Sequence, residues 1–427
     1  MLKKIRKWAA VFLCGAMCIC GCSGKDSAQE QEKPVDTETK KEQTKKKEKE
    51  YQKKLDMVKP SAYDNVIGLN LEEGTTLSII GKAEGVPYWD EVKRGAEQAV
   101  KDINDNLGYE GKKQVKVTYS APSTPDNVDE QVNILDEELA RYPAALGISI
   151  ADTKACEVQF DLAAESDIPV VAFDSGSDYQ GLMAMVSTDN RTAAREAAQK
   201  LAESVGGKGE VMLFIHDSKS ESAMSREQAF REEMEANYPE ITIAEVYYMD
   251  RLSDMQERIA AEMNGVNEND ENGDIEPAEA VGIETAGENG EGGEKDEGEA
   301  LADGEAIAAD TISEEDAIDY LFEKHPEIKG IYATNGDAVK RALETLERNE
   351  AEARIVGFDA DKEELEAIKD GRVEGLVLQN PFGMGYAAVI ASARAALSMG
   401  NEAVVDTGYV WITRKNLEEE GIQKLLY

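Results

Sequence analysis

From about Thr75 onward, short apolar runs alternate with longer stretches of helical spacing. "TTLSIIGKA" reads as a strand, and "YWDEVKRGAEQAVKDINDNLG" as a helix stopped by Gly108. Strands "KQVKVTYSAP", "AALGISI", "IPVVAFDS" and "LMAMVSTD" follow, with helices separating the first three. A second series opens with the helix "NRTAAREAAQKLAESV" and runs through "GEVMLFIHD", "TIAEVYYM", "IKGIYATN", "ARIVGFDA" and "EGLVLQN", again with helices between. Repeated βα units bury their sheets only when the strands are parallel and helices cover both faces. The expected fold class is therefore α/β, with two similar doubly wound parallel-sheet lobes. The stretch from Thr75 to Tyr427 is long for one domain and comfortable for two.

The last strand of the second series stops at Gln379-Asn380-Pro381. Pro381 cannot donate to a central ladder, so it marks the strand's end. A Gly-rich turn and then an amphipathic helix of small residues are expected in "PFGMGYAAVIASARAAL". Gln379 thus places a side-chain amide at the carboxyl end of a strand, where open α/β sheets bind ligands. The plainer alternative is a polar strand end beside a tight turn.

The N-terminus reads as a targeting segment over residues 1–21. "MLKKIRK" is basic, "WAAVFLCGAMCIC" is apolar but shorter than the ~20 residues of a membrane span, and small residues close it. Of five cysteines, Cys14, Cys18, Cys20 and Cys22 fall in or at the end of this segment and only Cys156 in the body. An internal disulfide framework is therefore excluded, and the protein must be held by its own core. Cys156 reads as a small buried helix residue. Residues 22–74 are expected to form a charged, solvated tether, because "KDSAQEQEKPVDTETKKEQTKKKEKEYQKK" offers almost nothing to bury. The net charge of −40 argues against a nucleic-acid partner, which calls for a basic face.

An acidic insert interrupts the second series at residues 264–310. It holds sixteen Asp/Glu and one Lys, so it supplies −15 of the net charge. It is expected to project as a loop without a core. Within it, "ENDENGDIEPAE" resembles an EF-hand calcium loop: Glu268, Asp270 and Asn272 at positions one, three and five, Gly273 at the turn, Asp274 at seven and Glu279 at twelve. Calcium is the one cofactor that the sequence suggests. Glu268 in place of Asp and the unusual Pro277 leave a chance match in an acidic tract as the alternative.

Taken in order, "VPYWDEVKRGAEQAV", "IPVVAFDSG", "VSTDN", "SAMSREQAF", "YATNGDA", "ARIVGFDA" and "VLQNPFGMGY" resemble a type I periplasmic solute-binding protein of the ribose-, galactose- and xylose-binding kind. The resemblance covers nearly all of residues 75–427 outside the insert. It implies lobes of residues 75–187 plus 380–409 and 188–379 plus 410–427, joined by a three-crossing hinge. "ICGC" likewise resembles a bacterial lipobox, which would make Cys22 the lipidated N-terminus of a lipoprotein on the outer face of the cell membrane. By the same resemblance the partners are a monosaccharide or polyol, an ABC permease and the membrane through the lipid anchor, with the protein a monomer.

The residues matching the family's ligand positions make chemical sense for a sugar. Tyr88 and Trp89 could pack on its apolar C–H face, unless one of them is simply core. Asp174 and Asp359 each end a strand and could accept from vicinal hydroxyls, or else cap the next helix. Arg226 can donate as a fork, or form a surface ion pair. Asn190 either donates or caps, Asn335 resembles the family's amide ligand, Gln379 would bridge the lobes, and Met249 falls where a second stacking wall often stands. Ser175 replaces an Arg of ribose binders, Val86 an Asn, and Gly336 an Asp, which puts the sugar's identity in question. An enzyme is not expected: Asp174 and Asp359 could be imagined as a glycosidase pair, but no nucleophile elbow, P-loop or zinc motif is present in the sequence. A ligand sensor reporting to a histidine kinase would use the same clamp, and sequence does not separate it from a transport protein.

Overall fold

The computed structural model describes residues 49–125, 127–265 and 306–427. The expected signal segment, Cys22 and the calcium-loop residues Glu268 to Glu279 lie outside the described residues. No helix among the described residues is long and apolar enough to cross a membrane.

In chain order the first half carries α1 (Gln52–Leu55), β1 (Thr76–Ile80), α2 (Pro87–Leu107), β2 (Lys116–Ser120), α3 (Val128–Leu139), β3 (Ala145–Ile148), α4 (Glu157–Glu165), β4 (Val170–Phe173) and β5 (Met185–Ser187). The second half carries α5 (Asn190–Ser204), β6 (Gly209–Ile215), α6 (Glu221–Asn237), β7 (Ile241–Tyr248), α7 (Leu252–Met263), α8 (Glu314–Lys324), β8 (Ile328–Ala333), α9 (Gly336–Arg348), β9 (Arg354–Phe358), α10 (Lys362–Asp370) and β10 (Val373–Gln379). The chain then adds α11 (Pro381–Ala396), β11 (Val404–Asp406), β12 (Tyr409–Ile412) and α12 (Glu420–Gln423).

The strands form two six-stranded sheets, ordered β11-β5-β4-β3-β1-β2 and β12-β10-β9-β8-β6-β7. These are the same order twice, with β6 to β10 in the places of β1 to β5. β11 runs parallel to β5 whereas β12 runs antiparallel to β10, so only the last strand breaks the likeness. Both sheets are covered on both faces. Leu77 and Ile79 of β1 belong to one core and Ile80 to the core on the other side, as period-two alternation requires. β11 and β12, of three and four residues, are too short to show a pattern of their own in the sequence.

The helices follow their local signals. In α2, Val92, Ala96, Ala99, Val100 and Ile103 are buried as one stripe, and Gly108 ends the helix at φ +69° with its N–H on the Asn104 carbonyl. α11 departs from expectation. There is no Gly-rich turn: the helix begins at Pro381 and includes Gly383 and Gly385, and fourteen of its sixteen residues are buried, so it is not amphipathic. The cause is its crossing with α2. A Cβ on Gly95 would lie 2.0 Å from the Phe382 carbonyl oxygen, and one on Gly385 would lie 1.9 Å from that of Val92. The two glycines let the backbones touch, which no other residue allows.

The tether expected to reach residue 74 is folded from Lys49 on. Leu55, Val58, Tyr63, Leu69 and Leu71 are buried in the first lobe's core, and Lys54 pairs with the buried Glu91. Lys59 exchanges backbone hydrogen bonds with Asp406 at 2.8 and 2.9 Å, extending the sheet past β11. The lysine count of this stretch hid a sparse apolar series that suffices to dock it. Cys156 is buried as expected, but at the N-cap of α4 rather than within the helix. Burial pushes its thiol up to about 12.

The chain passes between the lobes after β5, after β10 and after β11. These crossings are bonded to one another: Thr188 donates to Gln379 Oε1 at 2.9 Å, and Asn380 Nδ2 donates to the Thr407 carbonyl at 2.9 Å. Gly408 turns the third crossing at φ +74°, with a virtual Cβ 3.2 Å from Met57.

Candidate ligand-binding cleft

The carboxyl ends of both sheets face one cleft. It lies where each strand order reverses, at the switch point expected to bind ligands in open α/β sheets. The structure brings Tyr88, Trp89, Asp174, Arg226, Asn335, Asp359 and Gln379 to its walls.

Asp174 follows β4 and Asp359 follows β9, equivalent places in the two lobes. Both hold left-handed backbone, φ +59° and +72°. Non-glycine residues adopt this conformation rarely, at a cost of roughly 1–3 kcal/mol, and such strain clusters at functional sites. Neither residue is a helix cap; Asp361 caps α10 instead. Asp174 accepts from the Tyr88 hydroxyl and from the Ser149 hydroxyl, each at 2.8 Å, and lies 3.8 Å from Lys82 Nζ. Asp359 accepts from Gln379 Nε2 at 2.6 Å and from the Gly336 N–H at 3.0 Å. Burial pushes the Asp359 carboxyl above the usual carboxylate range, against the pull of Arg226.

Tyr88 and Trp89 stand in the first turn of α2, which Pro87 starts. Their rings meet edge-on, 5.1 Å between centroids at 82°. Trp89 also touches Phe173 edge-on at 6.5 Å, so it is both wall and core. Burial, followed by the Asp174 charge, raises the Tyr88 hydroxyl well above its ordinary range, so it stays a donor.

Arg226 is buried rather than paired at the surface. Its Nε donates to Asn190 Oδ1 at 2.9 Å, Nη1 to the Thr334 carbonyl at 2.6 Å and Nη2 to Gln379 Oε1 at 3.0 Å, while the guanidinium lies 4.1 Å from the Phe358 ring centroid. About five N–H groups are available on a guanidinium, so donors remain for a ligand. Gln379 accepts from Arg226 and Thr188 and donates to Asp359, tying the hinge to the cleft floor. Asn335 lines the cleft and also caps α9.

Two expected residues are elsewhere. Asn190 does not line the cleft; it holds Arg226 from behind, and Asp189 is the cap of α5. Met249 packs against the second lobe's core, because β7 is the edge strand farthest from β9 and β10 in its sheet.

Lys82, His216, Ser222, Lys340, Glu364 and Tyr427 also line the cleft and were not anticipated. Lys82 lies two residues past β1 and His216 directly after β6, so the strand-end rule could have found both. Lys82 stands beside Asp174 as the cation whose absence Ser175 implied. Ser175 instead accepts from the Ser222 N–H of the other lobe at 3.3 Å. Burial lowers the His216 imidazole below its ordinary range, which keeps it neutral against Thr334 and Asp217. Tyr427 lies far along the chain from any strand signal. Among the described residues no cluster of three or more His, Cys, Asp or Glu could hold a metal ion.

Comparison with known proteins agrees with this architecture. The family described as "Periplasmic binding protein domain" matches residues 77–281 and 291–401. The ribose import binding protein of Bacillus subtilis is 32% identical over 72 residues, 17% of this chain and only 24% of that protein. The ribose import binding protein of Salmonella typhimurium is 19% identical over 335 residues, 78% of this chain and 89% of that one. A carbohydrate transporter solute binding protein of Agrobacterium radiobacter, solved in complex with D-arabinose, superposes with a TM-score of 0.61 at 24% identity, over 83% of this chain and 99% of its own. With two equivalent six-stranded sheets closing on one cleft and the family match spanning most of its length, the chain belongs to the periplasmic binding protein domain family.

Proposed function

We propose that this protein is an extracytoplasmic solute-binding lipoprotein, anchored through Cys22, that captures a monosaccharide or related polyol between its lobes and delivers it to the permease of an ABC importer. The observation that carries the reading is the pair of strained strand-end aspartates, Asp174 and Asp359, facing one cleft from opposite lobes beside the Tyr88–Trp89 wall. Carboxylates accept vicinal hydroxyls, aromatic faces cover sugar C–H faces, and the fork of Arg226 donates to oxygens. A ligand touching both lobes stabilises their closed arrangement, and a closed form is what a permease can distinguish. The relatives support the ligand class: two are ribose import proteins, and the superposed structure holds D-arabinose.

The test is thermal unfolding of the full chain with pentoses, hexoses and polyols. At a free concentration about 100 times Kd, a ligand adds ~2.7 kcal/mol of stability. At least one neutral sugar should raise the melting temperature by several degrees; no shift across the panel, or turnover of glycosides, would refute the reading.

A further inference from the structure

Two buried polar atoms of cleft-lining residues make no hydrogen bond of good geometry. Glu364 is 1% exposed and lines the cleft. Its Oε2 accepts the Asp361 N–H at 2.5 Å, completing a capping box at the start of α10. Its Oε1 has no partner. Tyr427 Oη, also in the cleft, makes no hydrogen bond of good geometry, although the Ala360 amide lies nearby. Six side-chain atoms among the described residues share this condition, and only these two belong to cleft residues. An unmet buried polar group is costly, so such atoms call for a partner.

The surroundings are built around them. A Cβ at Gly336 would lie 2.6 Å from Glu364 Oε1, so the glycine leaves this oxygen its space. Tyr427 packs against the cores of both lobes and meets the Tyr88 ring edge-on, 6.1 Å away at 78°. The neighbouring charges are already matched: Lys340 lies 2.7 Å from Asp361 and 4.0 Å from Asp337, and Asp359 is held by Gln379 and Gly336.

We propose that Glu364 and Tyr427 form a second hydrogen-bonding pole of the cleft, which takes a hydroxyl group of the sugar and selects for sugars that present one there. The proposal rests on the sugar-binding reading above. Burial, then Asp361 and Asp359, push the Glu364 carboxyl up to about 8; the Asp361 amide and Lys340 oppose them. At neutral pH Glu364 is therefore an acid with an O–H to donate, unlike a carboxylate, which only accepts. Ionisation removes that donor, so affinity for a neutral sugar falls as pH rises through about 8.

Calorimetric titration of the full chain with the best neutral sugar of the panel, from about pH 6 to pH 9.5, tests this. Wild type should weaken about tenfold or more across the alkaline limb. Glu364→Gln, whose amide keeps both the capping-box acceptor and a donor toward the cleft at every pH, should bind within about threefold of wild type at neutral pH and lose the alkaline limb. Tyr427→Phe should bind about threefold more weakly and keep it. A flat wild-type profile, tightening above pH 8, an alkaline limb kept by Glu364→Gln, or wild-type affinity in Tyr427→Phe overturns the pole alone. Failure of every sugar to bind wild type overturns the sugar reading, and the pole with it. Should Glu364→Gln not fold, Tyr427→Phe and the wild-type profile still decide.

Discussion

Asp174 and Asp359 occupy the same place in two lobes of the same strand order, and both hold left-handed backbone. Their surroundings differ. The first lobe sets Asp174 among Tyr88, Ser149 and Lys82, beside Trp89. The second sets Asp359 among the backbone of Gly336, Gln379 and the Arg226 charge, beside Glu364. One wall is aromatic with a single ion pair; the other is a hydrogen-bonding network backed by Asn190 and the Thr334 carbonyl. A repeated fold thus supplies two carboxylates, and the loops around them divide the labour between an apolar face and a polar edge. That division matches a sugar ring, apolar on its faces and polar around its rim.

The comparison can be broken at the aspartates. Asp174→Ala and Asp359→Ala should each lower sugar affinity about 100-fold or more, since hydrogen bonds to a charged group contribute about 1.5–3 kcal/mol apiece. Titration calorimetry reads the loss; an effect confined to one variant would mean that one lobe alone holds the ligand. Gly385→Ala should destabilise the apo-protein by about 3 kcal/mol through overpacking against the Val92 carbonyl, seen as a lower midpoint in urea, with ligand contacts spared. Trp89→Ala should weaken binding about tenfold, ~1.4 kcal/mol, and quench the ligand-induced change in tryptophan fluorescence. Met249→Ala, in the core behind β7, should leave affinity within about twofold of wild type. A larger loss there would restore Met249 to the site.

Much of this was legible because strands and helices carry different periods, and because strand ends in parallel sheets are where polar side chains converge. Asp174, Asp359 and Gln379 declare themselves by ending apolar runs. Arg226 does not; only the resemblance singled it out, and the fold buries it through partners at residues 190, 334 and 379. Met249 misled because position along the chain does not say that β7 is an edge strand. Residues 49–74 misled because charge was counted and the burial of Leu55, Val58 and Tyr63 was not. Gly385 of α11 looked like part of a turn, since its reason is the backbone of α2 at Val92, far earlier in the chain. Tyr427 had no signal at all, because its role comes from where the chain returns after β12.

The most direct test of a clamp shared by both lobes is a crystal structure of the full chain with its tightest-binding sugar. The account predicts one monosaccharide in the cleft, with oxygens in hydrogen-bonding range of both Asp174 and Asp359 and a C–H face against Trp89. A sugar bound through one lobe alone, or outside this cleft, would contradict it.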